Sequence, residues 1–208
     1  MNNMRRLLNI LMLVSVMAMG SWGFVNAQTS DEIIQKVVAS GRSMKSMKCT
    51  FTQTLTTPML ENPSVSKGRI LYFSDSKLKI EYLAPVKYSI SVKDGQVTIS
   101  GKDGDNELGL IANRIAKGIT TMMMGLMKGD ELADKRAFTN KARLEDGKWV
   151  VDMTPRRVDL KRMFSKVVLI FDPKTSLLVS MEMFQEDGGS TLIAIDKVET
   201  GGNYESEW

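Results

Sequence analysis

Residues 68–100 carry the pattern that decides the fold: Gly68-Arg69-Ile70-Leu71-Tyr72-Phe73, a polar break at Ser74-Asp75-Ser76, Leu78-Lys79-Ile80-Glu81-Tyr82, then Pro85, and finally Tyr88-Ser89-Ile90-Ser91-Val92-Lys93-Asp94-Gly95-Gln96-Val97-Thr98-Ile99-Ser100. Leu78, Ile80 and Tyr82 share one face of an extended segment, while Lys79 and Glu81 take the other. Pro85 ends that segment. Asp94-Gly95 between two β-like runs is a hairpin signal. Successive strands joined by short turns predict an antiparallel meander.

The same period of two extends in both directions. Upstream, Cys49, Phe51, Gln53 and Leu55 alternate with Thr50, Thr52, Thr54 and Thr56, a composition suited to a pleated surface. Pro58 and Asn62-Pro63 mark the turn that follows. Before this strand, Thr29 and Glu32 have the spacing of a capping box. Ile33, Val37, Gly41 and Met44 then recur on one helical face, so a helix should run from there to about residues 45–48. Downstream, the β period resumes at Phe138, and Trp149, Val151 and Met153 share a face. Residues 166–171 are apolar on both sides and read as a central strand. Asp172-Pro173-Lys174-Thr175 turns the chain. Leu177, Val179, Met181 and Met183 then alternate with Leu178, Ser180, Glu182 and Phe184. Asp187-Gly188-Gly189 makes another turn, and residues 191–198 form the last clear strand. The Gly-rich, polar stretch 201–208 is expected to fray.

Between the two strand-rich halves the period changes. Leu108, Ile111, Ile115, Ile119, Met122 and Leu126 fall at helical spacing and form an apolar stripe. Gly118 and Gly125 are expected to break or bend this helix. Met122, Met123, Met124 and Met127 crowd its end. Methionine is flexible and polarisable, so these residues suit either core filling or adaptable contact with an apolar ligand. The expected fold class is therefore α+β, mainly antiparallel β. About 10–11 strands form a curved sheet with one polar face. Its apolar face is covered by helices, with room for an apolar ligand.

The N-terminus reads as an export signal. Arg5 and Arg6 precede the apolar run 7–19, which is shorter than the ~20 residues needed to span a bilayer. Val25 and Ala27 fit a signal-peptidase site, with cleavage expected before Gln28 and a single domain over 28–208. Without Arg5 and Arg6, 26 basic residues face 24 acidic ones, a net charge of about +2. No basic block is dense enough to argue for nucleic acid. The densest, Arg156, Arg157, Lys161, Arg162 and Lys166, reads as a solvated loop. Cys49 is the sole cysteine, so it makes no internal disulfide and reads as a small buried hydrophobe. A lipid anchor would require a cysteine at the cleavage site.

The chain has no histidine. That removes Ser-His-Asp and Cys-His nucleophiles and His/Cys zinc sites. No glycine-rich phosphate loop follows a strand. Asp103-Gly104-Asp105-Asn106-Glu107 lacks the order of an EF-hand and reads as a polar turn. Nothing singles out a pair of carboxylates. Neither a cofactor nor a metal is expected, and enzymatic hydrolysis is the least favoured reading.

Several strings occur in an order that resembles the LolA family of periplasmic lipoprotein carriers. They are Phe51-Thr52-Gln53, Gly68, Leu78-Lys79-Ile80-Glu81-Tyr82 with Pro85, Asp94-Gly95 with Val97, Trp149-Val150-Val151-Asp152-Met153-Thr154-Pro155, and Phe171-Asp172-Pro173. The resemblance implies an unclosed β-barrel with a helical lid over an apolar cavity. It also implies a monomeric, non-enzymatic carrier that accepts lipoproteins from an inner-membrane ABC exporter and crosses the periplasm. Delivery is to an outer-membrane acceptor or to the membrane itself. The strand Leu78, Ile80, Tyr82 corresponds to one that lines the family's cavity. Where the family often carries a basic residue just before it, this chain has Ser74 beside Asp75.

Together with that strand, the expected acyl-chain lining comprises Phe51, Ile70 and Tyr72 from the first two strands. Ile115, Ile119, Met122, Met123 and Leu126 come from the mid-chain helix, and Trp149, Val151, Met153, Met181 and Met183 from the second half. The alternative reading is a related carrier or sensor of another amphiphile, such as a glycolipid or lipid-linked pigment.

Overall fold

The computed structural model describes residues 28–59, 61–74, 77–101 and 110–208, with 110–117 and 119 described by backbone alone. The expected export signal, Asp75, the expected turn 103–107 and Leu108 lie outside the described residues, as do the side chains of Ile111, Ile115 and Ile119.

Helix α1, Ser30–Ser43, starts as its sequence dictates. The Thr29 side chain accepts from the Glu32 N–H, and the Glu32 carboxylate accepts from the Thr29 N–H at 3.0 Å. Ile33, Val37 and Gly41 face inward. Burying the two branched side chains contributes about 1.5–3 kcal/mol each. The helix stops short of the expected end because Met44 turns extended and Ser46 already pairs with Phe73.

Ten strands form one antiparallel sheet among the described residues, and it is not closed into a barrel. They are β1 Ser46–Thr56, β2 Ser64–Phe73, β3 Lys77–Ala84, β4 Tyr88–Lys93, β5 Gln96–Gly101, β6 Phe138–Glu145, β7 Lys148–Pro155, β8 Lys166–Phe171, β9 Leu178–Phe184 and β10 Ser190–Thr200. Their order is β5-β4-β3-β2-β1-β10-β9-β8-β7-β6. Each half is the expected meander. The halves join through β1 and β10, which are remote in sequence and adjacent in the middle of the sheet. The open edges, β5 and β6, are therefore the strands nearest the chain's midpoint. The connection between them carries α2, Leu110–Lys128, and the short α3, Asp130–Ala133. Edge β6 is partly guarded: the Ala142 N–H donates to Ser30 Oγ at 2.8 Å, and the Asn140 amide donates to the Leu132 carbonyl.

Both β4–β5 and β6–β7 turn through Asp-Gly pairs with positive φ, at Asp94-Gly95 (51° and 79°) and Asp146-Gly147 (49° and 71°). Three bulges curl the sheet. Leu83 is the extra residue of β3 against β2. Lys197 and Val198 of β10 face the single Cys49 of β1, with Lys197 at φ 50°. Val179 is the extra residue of β9 against β8. This last bulge corrects the alternation expected there: Leu178, not Leu177 or Val179, joins Met181 and Met183 in the core.

Three further expectations change. Helix α2 runs unbroken through Gly118 and Gly125. A Cβ at Gly118 would collide with Met163, and one at Gly125 with Glu131, so these glycines permit close packing rather than bending. The basic stretch after β7 is not merely a solvated loop. It forms a helical turn, α4 Val158–Lys161, that sends Phe164 into the core. Residues 201–208 fold back onto the outer face of β1–β3, where Tyr204 is 7 % exposed.

Gly68 allows close approach to both backbone and an aromatic ring. A Cβ there would strike the Glu81 carbonyl oxygen and lie 2.6 Å from the Phe51 ring. Gly68→Ala should therefore destabilise the protein by about 2 kcal/mol or more, read as a lower urea midpoint. An unchanged midpoint would show that β1–β3 yields at this point.

Candidate ligand-binding site

Strand register assembles the inner face into continuous rows. Met47, Tyr72, Leu78, Val92 and Val97 form one across β1–β5. Cys49, Ile70, Ile80, Ile90 and Ile99 form the next. The third is Phe51, Gly68, Tyr82, Tyr88 and Gly101. On the other half, Ile193, Met181, Leu169, Val151 and Ala142 align across β10–β6, and Thr191, Met183, Val167, Met153 and Asn140 run beside them. Trp149 pairs with Phe171 further along.

The glycine row is shaped by what glycine omits. The empty space at Gly68 lets Phe51 reach across a strand to Tyr82, with ring centroids 5.3 Å apart and edge-to-face. Tyr82 stacks on Tyr88 at 4.2 Å with an 8° interplanar angle. The Tyr82 hydroxyl donates to Gln53 Oε1 at 2.8 Å, so its one polar atom is satisfied inside the apolar face. Burial, reinforced by the neighbouring Tyr88, pushes the Tyr82 phenol well above its ordinary range.

Helix α2 covers this face, packing against β3 and β4. Its C-terminal half is enclosed almost all round: Thr120, Met122, Met123, Met124, Leu126 and Met127 are all buried. Its end is fixed to α1 through two glycines. A Cβ on Gly41 would sit 2.9 Å from the Gly129 nitrogen, and one on Gly129 would sit 2.7 Å from the Val38 carbonyl oxygen.

Apart from Ile115 and Ile119, every side chain expected from the sequence to line the site lies in one contiguous buried cluster, and none is more than 7 % exposed. Among the described residues, two openings border that cluster. A cleft of about 290 Å³ lies between α2, α3 and the α4 turn, lined by Thr121, Met122, Glu131, Arg157, Leu160, Met163 and Phe164 among others. A small opening of about 20 Å³ lies by Val37, Met47, Leu126, Phe171 and Leu178. Leu78, Ile80 and Tyr82 line neither of these and are buried.

The cleft residues Leu160, Met163 and Phe164 escaped the sequence reading. Their i, i+3, i+4 spacing was the available signal, masked by the surrounding Arg and Lys. Glu131 at the cleft is half-buried. Burial raises its carboxyl above the usual range, helped by Asp134 and Asp130 and opposed by Arg157.

Among the described residues, no group of three or more His, Cys, Asp or Glu could hold a metal. Burial pushes the Cys49 thiol up to about 12, so it stays protonated and unreactive at neutral pH. The site offers apolar contact, polarisable sulfur and rearrangeable side chains. Its geometry defines a class: an α+β protein whose unclosed, barrel-like antiparallel sheet has a helix-covered apolar face.

The model of the family described as outer membrane lipoprotein carrier protein LolA matches residues 42–207, and the chain belongs to that family. Its members are generally periplasmic or extracytoplasmic lipid- or lipoprotein-binding carriers. No helix among the described residues is long and apolar enough to cross a membrane. No curated protein sequence matches the chain.

Among solved structures, MucB is similar at 19 % identity and a TM-score of 0.54, over 86 % of this chain and 61 % of that one. The MucA/MucB complex of Pseudomonas aeruginosa gives 16 % identity and a TM-score of 0.50, over 86 % and 59 %. A LolA superfamily protein from Nitrosomonas europaea gives 10 % and 0.40, over 85 % and 95 %. The chain thus spans about three-fifths of the MucB chains it matches. These likenesses concern the fold.

The raised Cys49 thiol and Tyr82 phenol set the sign of an alkaline response. Each favours the folded state while protonated, so the stability it contributes is intact below its unfolded pKa. That contribution is lost as pH rises from about 9 toward about 12 for Cys49. The urea midpoint should fall steadily above pH 9. At pH 8, native Cys49 should react with a thiol reagent at least ~100-fold more slowly than in denaturant. Rapid native labelling would show that the strand face beneath α1 and α2 opens readily.

Proposed function

We propose that this protein is a periplasmic chaperone that binds the acyl chains of lipoproteins between α2 and the inner face of the sheet and carries them from the inner to the outer membrane. The observation that carries this reading is the extensive, mainly apolar inner face of an unclosed sheet, covered by a methionine-rich helix anchored at its C-terminal end. Burying hydrocarbon is worth ~0.8 kcal/mol per CH₂, so free acyl chains do not cross an aqueous gap unaided. A carrier must offer a comparable surface and still release it. Flexible Met122 and Met123 can re-pack around a chain, whereas a rigid core would resist.

The inner side chains are buried beneath the helical cover. An acyl chain would enter as α2 lifts, with the cleft by Met122 and Phe164 as its starting place. Phe51, Ile70, Tyr72, Leu78, Ile80, Tyr82, Trp149, Val151, Met153, Met181 and Met183 would form the floor, with Ile115, Ile119, Met122, Met123 and Leu126 forming the cover. An inner-membrane ABC exporter would supply cargo, and an outer-membrane acceptor or the membrane would receive it.

The purified protein added to spheroplasts should move lipoproteins into the supernatant. Leu78→Glu and Ile80→Glu place a carboxylate on the floor and should cut release at least ~10-fold, provided circular dichroism shows the sheet intact. Full release by folded variants would place the cargo elsewhere. No release by the wild type, with free lipid found bound by native mass spectrometry, would favour a carrier or sensor of another amphiphile.

A further inference from the structure

Leu71 and Phe73 lie on the outer face of β2, opposite the cluster that contains Ile70 and Tyr72. Strand alternation would leave them in water. Tyr204 and Trp208 cover them instead, with the Phe73 and Trp208 rings 5.8 Å apart. Cations surround this patch, and each finds a carboxylate on the returning segment. Lys48 Nζ lies 3.1 Å from Glu207 Oε1, Arg69 Nη1 lies 3.0 Å from Glu207 Oε2, and Lys77 Nζ lies 3.1 Å from Glu205 Oε1. Lys48 also sits 5.1 Å from the Tyr204 ring centroid. The segment leaves β10 through Gly201, at φ 75°, and Gly202, whose carbonyl accepts from Ser46 Oγ.

The segment is held by two aromatic anchors and by partly exposed ion pairs, which salt screens. Lifting it would bare two apolar side chains ringed by Lys48, Arg69 and Lys77.

We propose that this outer patch is a docking surface for a partner protein's acidic-aromatic segment, and that residues 203–208 are its intramolecular occupant, displaced when the partner binds. The docked segment shows the chemistry the surface accepts: two aromatic anchors flanking carboxylates two residues apart. A peptide fits this better than an anionic bilayer does. Glu81, paired with both Arg69 and Lys79, and Glu199, beside Lys48, offset much of the positive charge a bilayer would need. Because the patch lies opposite the buried apolar face, a partner can hold the protein there while the inner face stays free. The proposal stands whether or not acyl chains are the cargo.

The test uses a labelled peptide of sequence Asn-Tyr-Glu-Ser-Glu-Trp and the full chain carrying Tyr204→Ala and Trp208→Ala. At low salt the peptide should bind this variant at least ~10-fold more tightly than the wild type. Adding Lys48→Glu and Lys77→Glu, or raising salt to about 0.5 M, should weaken binding ~10-fold. Absence of saturable binding by the folded variant, indifference to charge reversal, or capture by phosphatidylglycerol vesicles in place of the peptide would each overturn the proposal. A second measurement does not depend on the variant folding. In wild-type protein labelled with fluorotryptophan, millimolar unlabelled peptide should shift the Trp208 resonance toward that of an exposed indole and leave Trp149 in place. A stationary Trp208 would overturn displacement.

Discussion

One constraint governs the molecule: the side-chain alternation of a pleated strand, held in register across ten strands. Because the period is two, a single slip anywhere would carry a whole strand's apolar set to the wrong face. Register therefore places Leu78, Ile80 and Tyr82 in rows five strands wide on one half and lets Ile193, Met181, Leu169, Val151 and Ala142 do the same on the other. Everything the protein offers an apolar ligand follows from that alignment.

Curvature comes from what is missing or added. Gly68 removes a side chain where the first strands approach most closely, and Phe51 fills the space by leaning onto Tyr82. The bulges at Leu83, Val179 and Lys197-Val198 each insert a residue and bend one strand against its neighbour. The Lys197 bulge also keeps alternation from turning a lysine inward, leaving Val198 to pack on the core. The sheet curls without closing, and the connection between its two edge strands carries α2. That connection thereby becomes the cover.

The two faces of the sheet use opposite kinds of contact. Inside, Met122, Met123, Met181 and Met183 give a surface that can change shape at little cost. Outside, Leu71 and Phe73 are covered by a short returning segment fixed by two aromatic rings and exposed ion pairs. The two covers are fixed differently: α2 at the Gly41–Gly129 contact, and residues 203–208 through Gly201-Gly202 and the aromatic contacts on β2. The proposed cargo side and docking side therefore lie on opposite faces of the sheet.

The sequence by itself determined the strands, the capping box at Thr29 and Glu32, the Asp94-Gly95 turn and, apart from the start of β9, most of the inward side chains. These follow from local periodicity and turn chemistry, which act over a few residues. Only the tertiary structure decided that β1 and β10 are neighbours, since that pairing closes a loop of almost the whole chain. It also decided that Gly118 and Gly125 accommodate Met163 and Glu131 rather than break α2, because a glycine's role depends on what comes near it. Leu160, Met163 and Phe164 gained their place at the cleft, and Tyr204 and Trp208 their place on β2, for the same reason. Periodicity tells which way a side chain points along its own strand or helix, but what it meets there is set by segments far away in the chain.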